Sequence, residues 1–293
     1  MKEKALYINL PDGASYRRVE VTADGRICII YTEQYVSKEK SIEEILTGTI
    51  PKPIPLIGGT EVYQKDNGTP YWYCKIKEGR DEFMHVYFED LTEKDLLYDA
   101  NGKKRKFVTP KQKMFETNVK EVLKSKPKEG YRWLPVYEPS ENSNGNLCYI
   151  AGAKVFQDLN AYQWYRKLEQ YSPENGSKQA TYTTYFLLLL RWLKDGIATI
   201  EQLADDSTEI GHYRYSKDAK IHQLEKTGDR EFGGLYGFVG NTNKIVRTYE
   251  TELDFSLIGG NYCAVGSEYP LARVRYGYNP EILGNIGLLE LTK

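Results

Sequence analysis

The chain has 293 residues, enough for one large domain or two ordinary ones. With 40% hydrophobic and 28% charged residues it belongs among globular rather than disordered chains. A net charge of -1 argues against a nucleic-acid binder held by bulk electrostatics.

Tyrosine is the unusual component, with 25 copies against 9 phenylalanines and 4 tryptophans. A rigid ring with a polar tip suits a recognition surface. It equally suits a β-rich chain that uses tyrosine as a strand former. The cysteines, Cys28, Cys74, Cys148 and Cys263, lie far apart and form no CxxC pair. Neither a zinc site nor a disulfide framework is therefore expected, and the four read as free, buried thiols. The start, MKEKALYINLPDG, lacks the apolar core of a signal peptide. The longest apolar run, Tyr185 to Leu190, is far too short for a bilayer. The chain therefore reads as made in a reducing cytoplasm, an origin that a virion (phage structural) protein fits equally well, with no membrane insertion and no nucleic-acid partner expected.

In chain order, residues 4–34 read as a β-meander. Its strands are KALYINL, SYRRVEVT and RICIIYTEQ, punctuated by Asp12-Gly13 and Asp24-Gly25. Ser37 to Leu46 suits a short helix, and PKPIPLIGG (51–59) an extended connector. Asn67-Gly68 predicts a hairpin within EVYQKDNGTPYWYCKI, and EFMHVYFEDL another strand. His85 in that strand has no companion at ligand spacing and reads as structural. A further hairpin is predicted around Asn101-Gly102. Its run Lys103 to Lys106 reads as a solvated tip rather than a nucleic-acid patch. Thr109 to Lys126 is helical, with Phe115, Val119, Val122 and Leu123 on one face.

Residues 125–146 are rich in Pro, Gly, Ser and Asn and read as a linker, with a domain boundary near residue 130. The expected organisation is a β-rich docking or oligomerisation domain over 1–130 and a second domain over 131–293. The second opens with a helix over 153–171, broken at PENGS (173–177). A strongly apolar helix follows, capped by Thr183 or Thr184 and ending at Gly196. A short helix is predicted over Thr199 to Ala204, then short strands with glycine turns from His212 onward. Helices followed by strands predict an α+β fold with helices packed on a small antiparallel sheet.

Three blocks carry a resemblance. GLYGFVGN (234–241), IGGNY (258–262) and ARVRYGYNPEILGNIGLLEL (272–291) resemble, in order and spacing, the conserved blocks of the C-type-lectin fold of the formylglycine-generating-enzyme type. The likeness covers about residues 130–293. It implies a C-type-lectin-like domain in which Gly259, Gly260, Arg273, Arg275, Asn285 and Gly287 are structural. In that reading Asn285-Ile286-Gly287 is a turn, and the two arginines meet acids or loop carbonyls. The oxidase members need two nearby cysteines for copper, and here Cys263 has no local partner. The iron-dependent members need a histidine set that His85, His212 and His222 do not match.

What remains is the non-catalytic use of this fold, as in variable receptor-binding proteins and phage tropism proteins. The resemblance then implies a Tyr/Asn-rich C-terminal surface, with Asn261, Tyr262, Ser267, Tyr269, Tyr276, Tyr278 and Asn279 as ligand contacts. It implies a host surface protein or glycan as partner and a homo-oligomer, a trimer among the possibilities. No cofactor is expected; calcium at Asn241 is the one candidate, against a capping or turn role for that residue. The alternatives are a cytoplasmic interaction or sensor protein on the same fold and an oxidase of the formylglycine-generating kind.

Overall fold

The computed structural model describes residues 16–21, 27–31, 50–98, 102–216, 223–249 and 253–293. The chain divides into two units, residues 1–51 and 52–293. In the first, β1 (Tyr16–Val21) and β2 (Ile27–Tyr31) pair antiparallel, with Glu20 opposite Cys28 and a register shift between Tyr16 and Arg18. These are the second and third strands of the predicted meander. Its first strand, its turns and the 37–46 helix lie outside the described residues.

The second unit is a mixed α+β structure built on two four-stranded sheets. Residues 51–59 form no regular element, as their prolines require. The Asn67-Gly68 turn joins β3 (Tyr63–Gln64) to β4 (Trp72–Ile76), and Gly68 takes the positive φ of 75° that such a turn demands. Next come β5 (Asp81–Tyr87) and, after two helices, β6 (Tyr131–Pro135), giving the order β3-β4-β5-β6. The helices between them are α1 (Glu93–Leu97) and α2 (Pro110–Lys124). Thr109 caps α2, which buries Phe115, Val119 and Val122. Of the hairpin predicted around Asn101-Gly102, whose Asn101 lies outside the described residues, the structure describes an antiparallel bridge between Tyr98 and Lys104 and an Arg105 N–H bond to Leu97 O at 2.8 Å.

The strand β6 corrects the predicted linker and the boundary near residue 130. Tyr131–Pro135 pairs residue for residue with β5, from Tyr131 opposite Tyr87 to Pro135 opposite Phe83. A small hairpin, β7 (Ser140–Glu141) with β8 (Leu147–Cys148), occupies the Asn- and Ser-rich stretch that follows. Sheet and hairpin satisfy backbone groups that a linker would leave to water.

The predicted 153–171 helix is shorter. Only α3 (Ala161–Glu169) forms, with Asn160 and Gln163 in a reciprocal capping box. The Phe156 N–H is instead drawn to Pro139 O at 2.8 Å. A single 3-10 turn (Pro173–Asn175) and β9 (Lys178–Gln179) lead to α4 (Tyr182–Lys194), whose cap is Thr181 rather than Thr183 or Thr184. Every residue of α4 from Thr184 to Leu193 is buried. Its Arg191 is buried too, and answers this by pairing with Asp90 and Asp195. The short helix α5 (Ile200–Ala204) has its own capping box from Thr199 and Gln202.

The C-terminal third is short strands. A two-stranded ribbon, β10 (Glu231–Phe232) with β11 (Leu235–Tyr236), precedes the second sheet. That sheet contains β12 (Lys244–Arg247), β13 (Phe255–Ile258), β14 (Val274–Arg275) and β15 (Ile286–Gly287), in the order β14-β13-β12-β15. β15 runs parallel to β12, so Asn285-Ile286-Gly287 leads into and forms a strand rather than a turn. The last strand, β16 (Leu289–Glu290), pairs with β9. Just beyond it, Leu291 exchanges two backbone hydrogen bonds with Trp133, at 3.0 and 2.9 Å. The C-terminus thereby ties the second sheet's neighbourhood to β6. One apolar cluster spans the join, including Trp133, Tyr149, Trp164, Ile245, Leu257 and Leu289.

Among the described residues, no helix is long and apolar enough to cross a membrane.

Candidate recognition surface

The segment 259–284 leaves β13 through Gly259 and Gly260. Gly259 has φ +69°, and a Cβ on Gly260 would lie 2.8 Å from the Tyr213 ring and 2.9 Å from Tyr269 Cβ. The pair therefore turns the chain and lets two tyrosines close on it. Beyond them Asn261 Oδ1 accepts from the Cys263 N–H at 3.1 Å, forming an Asx turn. Tyr262 stacks at 6.5 Å on His212, whose Nδ1 lies 3.0 Å from Glu225 Oε1. Burial first, then the adjacent Cys263, raises the Tyr262 phenol pKa. Cys263 itself is exposed, against the expectation of a buried thiol, while Cys74 and Cys148 are buried.

Tyr269 lies between the two arginines. The guanidinium carbons of Arg273 and Arg275 are 4.5 and 5.1 Å from its ring centroid. Arg273 donates to Glu268 O, and Arg275 to Gly259 O and Asn243 Oδ1. Both thus meet loop carbonyls, and neither meets a carboxylate among the described residues. Burial lowers the Arg275 pKa; Tyr269 opposes that shift and the Arg273 charge adds to it. Its Nε is buried without a hydrogen-bond partner.

Beneath these residues runs a polar relay. Asn243 Nδ2 donates to Asn285 Oδ1, Asn285 Nδ2 donates to Tyr278 Oη, and Tyr278 Oη donates to Ile282 O. Trp164 Nε1 adds a bond to Asn285 O at 3.0 Å. Tyr278 is therefore part of the support under the loop. The loop 276–284 is pinned at its far side as well. Ala161 N donates to Pro280 O, Asn160 Nδ2 to Glu281 Oε2 and Gly284 N to Gln157 O, at 2.9, 2.9 and 3.1 Å.

What this loop exposes is Tyr276 (63%), Asn279, Glu281, Ile282 and Leu283. Tyr276 meets Tyr182 edge to face at 6.5 Å. Of the seven predicted contact residues, Tyr276 and Asn279 are exposed; Asn261, Tyr262, Ser267, Tyr269 and Tyr278 are half-buried. Ile282 and Leu283, absent from the prediction, are exposed apolar side chains whose only sequence signal is their place after an Asn-Pro turn.

Asn241 is wholly buried. Its Oδ1 accepts from Glu225 N at 3.0 Å and its Nδ2 donates to Glu138 Oε2 at 2.5 Å. Glu138 in turn meets Lys244 at 3.1 Å and the Thr242 hydroxyl. The described residues contain no group of three or more His, Cys, Asp or Glu able to hold a metal ion.

A cavity of about 250 Å³, not foreseen from the sequence, opens behind the same segment, between α2 and residues 270–274. Lys111 and Arg273 stand in its lining beside apolar side chains.

No protein-family model and no curated protein matches the chain.

Proposed function

We propose that the chain is a non-catalytic binding protein whose recognition surface is the loop 276–283. The observation that carries this reading is a contrast within one segment. Tyr276, Asn279, Ile282 and Leu283 are exposed, while the backbone under them is fixed by Ala161, Gln157 and the Asn243–Asn285–Tyr278 relay, with Asn160 holding the Glu281 side chain. A rigid scaffold that presents apolar and amide side chains binds a partner at low entropic cost.

The partner in this reading is a host surface protein or glycan, and the chain is a phage tail or virion attachment component, acting as a homo-oligomer. The helices ahead of short strands, the Gly259-Gly260 exit from β13 and the arginines tied to loop carbonyls support a C-type-lectin-like fold for the C-terminal region. The test is binding of the labelled full chain to glycan arrays and bacterial envelope fractions, with mass spectrometry of purified virions alongside. We expect a bound glycan or envelope fraction, and loss of that binding in Tyr276→Ala combined with Leu283→Ser without a change in melting temperature. Binding that survives both substitutions, or none to any fraction together with absence from virions, overturns the reading.

A further inference from the structure

We propose that the cavity between α2, α5 and residues 270–274 binds a small organic anion, an aryl- or branched-alkyl carboxylate. Its apolar body would fill the cavity and its carboxylate would meet Lys111 and Arg273.

The volume is about 250 Å³. A dry apolar void of roughly 150 Å³ already accepts benzene, so this one takes a ring with a short acid arm. Phe115, Ala204, Ala272 and Pro270 form buried walls, and Met114 stands exposed at the edge, where its unbranched thioether adapts to different shapes.

The two cations choose the ligand's charge. Lys111 Nζ donates to Ser267 O and Arg273 Nη1 donates to Glu268 O, so one turn holds both. Neither forms an ion pair among the described residues. An ammonium has three N–H groups and a guanidinium five, so each keeps donors to spare. Asp205, next to the wall residue Ala204, is already taken: Thr109 Oγ1 donates to its Oδ1 at 2.5 Å and Gln112 Nε2 to its Oδ2. The Tyr269 ring at 4.5 Å holds the Arg273 guanidinium in place. A carboxylate facing two such donors gains charge-assisted hydrogen bonds.

The same inventory excludes a phosphate-rich ligand. Every other lining side chain is apolar, so a phosphate's remaining oxygens would lose water without replacement. This site is independent of whatever the loop 276–283 binds.

The experiment titrates the full chain with phenylacetate and with phenylacetamide, its neutral isostere, by calorimetry and thermal melting. Lys111→Ala, Arg273→Ala and the cavity-filling Ala272→Phe are measured in parallel. Phenylacetate should bind and raise the melting temperature, at least about tenfold more tightly than the amide. Each cation variant should weaken it by about tenfold or more, and the filled cavity should abolish it. Binding of acid and amide alike overturns the charge argument. Undiminished binding in the Lys111→Ala/Arg273→Ala double variant or in Ala272→Phe overturns the site. Absence of binding by both phenylacetate and 4-methylpentanoate up to about 10 mM overturns the proposal as a whole. Should Arg273→Ala not fold, the acid–amide comparison on the unaltered chain still decides.

Discussion

Arg275 Nη2 donates to Asn243 Oδ1 at 2.7 Å, and Asn243 passes the polarity on by donating from Nδ2 to Asn285 Oδ1 at 2.8 Å. The direction of each bond is forced, because a guanidinium only donates. It fixes the orientation of both amides and delivers a donor to Tyr278 Oη at 3.0 Å. One chain of buried and half-buried bonds thus runs from β14 through the residue before β12 to the loop 276–284.

Asn243→Ala should therefore cost about 1–3 kcal/mol of unfolding free energy, because it strands Asn285 Oδ1 and one Arg275 donor away from water. Urea denaturation measures it, and the slope of the transition should not change. Hydrogen exchange should also speed up at Gly284, whose N–H bond to Gln157 O closes the loop. A loss under about 0.5 kcal/mol would show that the relay does not hold the loop.

The buried pair Lys244–Glu138 should behave asymmetrically. Lys244 Nζ meets Glu138 Oε1 at 3.1 Å, Thr242 O at 2.8 Å and Gly237 O at 3.1 Å, with almost no exposure. Burial lowers the Lys244 pKa, and Glu138 opposes that. Removing one partner, as in Glu138→Leu, leaves a buried unpaired charge and should cost about 3–5 kcal/mol. The double variant Glu138→Leu/Lys244→Met should recover a large part of that loss. A double-mutant cycle by chemical denaturation reads the coupling, and additive losses would contradict it.

His85 makes stability depend on pH. It lies opposite Trp72 on β4, with the rings of Tyr131 and Trp133 each 4.9 Å away. Burial pushes its pKa down from 6.5 to about 3. Between those values the unfolded chain binds a proton that the folded chain refuses, so stability falls as pH drops through 6.5 toward 3. The slope from this one group approaches about 1.4 kcal/mol per pH unit. His85→Phe should remove that slope. Unfolding free energies of both proteins at several pH values between 4 and 7 check it, and parallel curves would refute it.

The sequence carried most where the signal was local. The Asn67-Gly68 hairpin, the helices expected over Thr109 to Lys126 and Thr199 to Ala204, and the unbroken apolar run of α4 each needed only near neighbours. The strand Tyr131–Pro135 was hidden because its partners are distant in the chain: β5 on one side and Leu291 beyond the last strand. Phe156 has helical spacing, yet its N–H is taken by Pro139 O. In the recognition segment the tyrosines were visible but their exposure was not. Tyr269 is drawn in between two arginines, and Tyr278 into the asparagine relay, by contacts that no spacing announces. Lys111 fell within a predicted helix, but nothing local placed residues 270–274 across from it.

Gly287 tests how tightly the two layers meet. It lies in β15, and a Cβ there would sit 2.9 Å from Leu168 Cδ1 and 2.9 Å from both Trp164 Cβ and Cγ. Its φ is not left-handed, so backbone strain plays no part and the cost of a methyl group is purely steric. Trp164 cannot retreat easily, because it is fully buried and its Nε1 is bonded to Asn285 O. Gly287→Ala should destabilise the fold by about 1–3 kcal/mol through overpacking. It should also disturb the Trp164–Asn285 bond and hence the relay under the loop. Trimming the obstacle with Leu168→Ala in the same chain should cost less than the sum of the two single changes, since each relieves the other. Thermal and urea unfolding of the two single variants and the double variant measure this. Strict additivity would mean that α3 and β15 shift apart freely, and that Gly287 is not the point of closest approach.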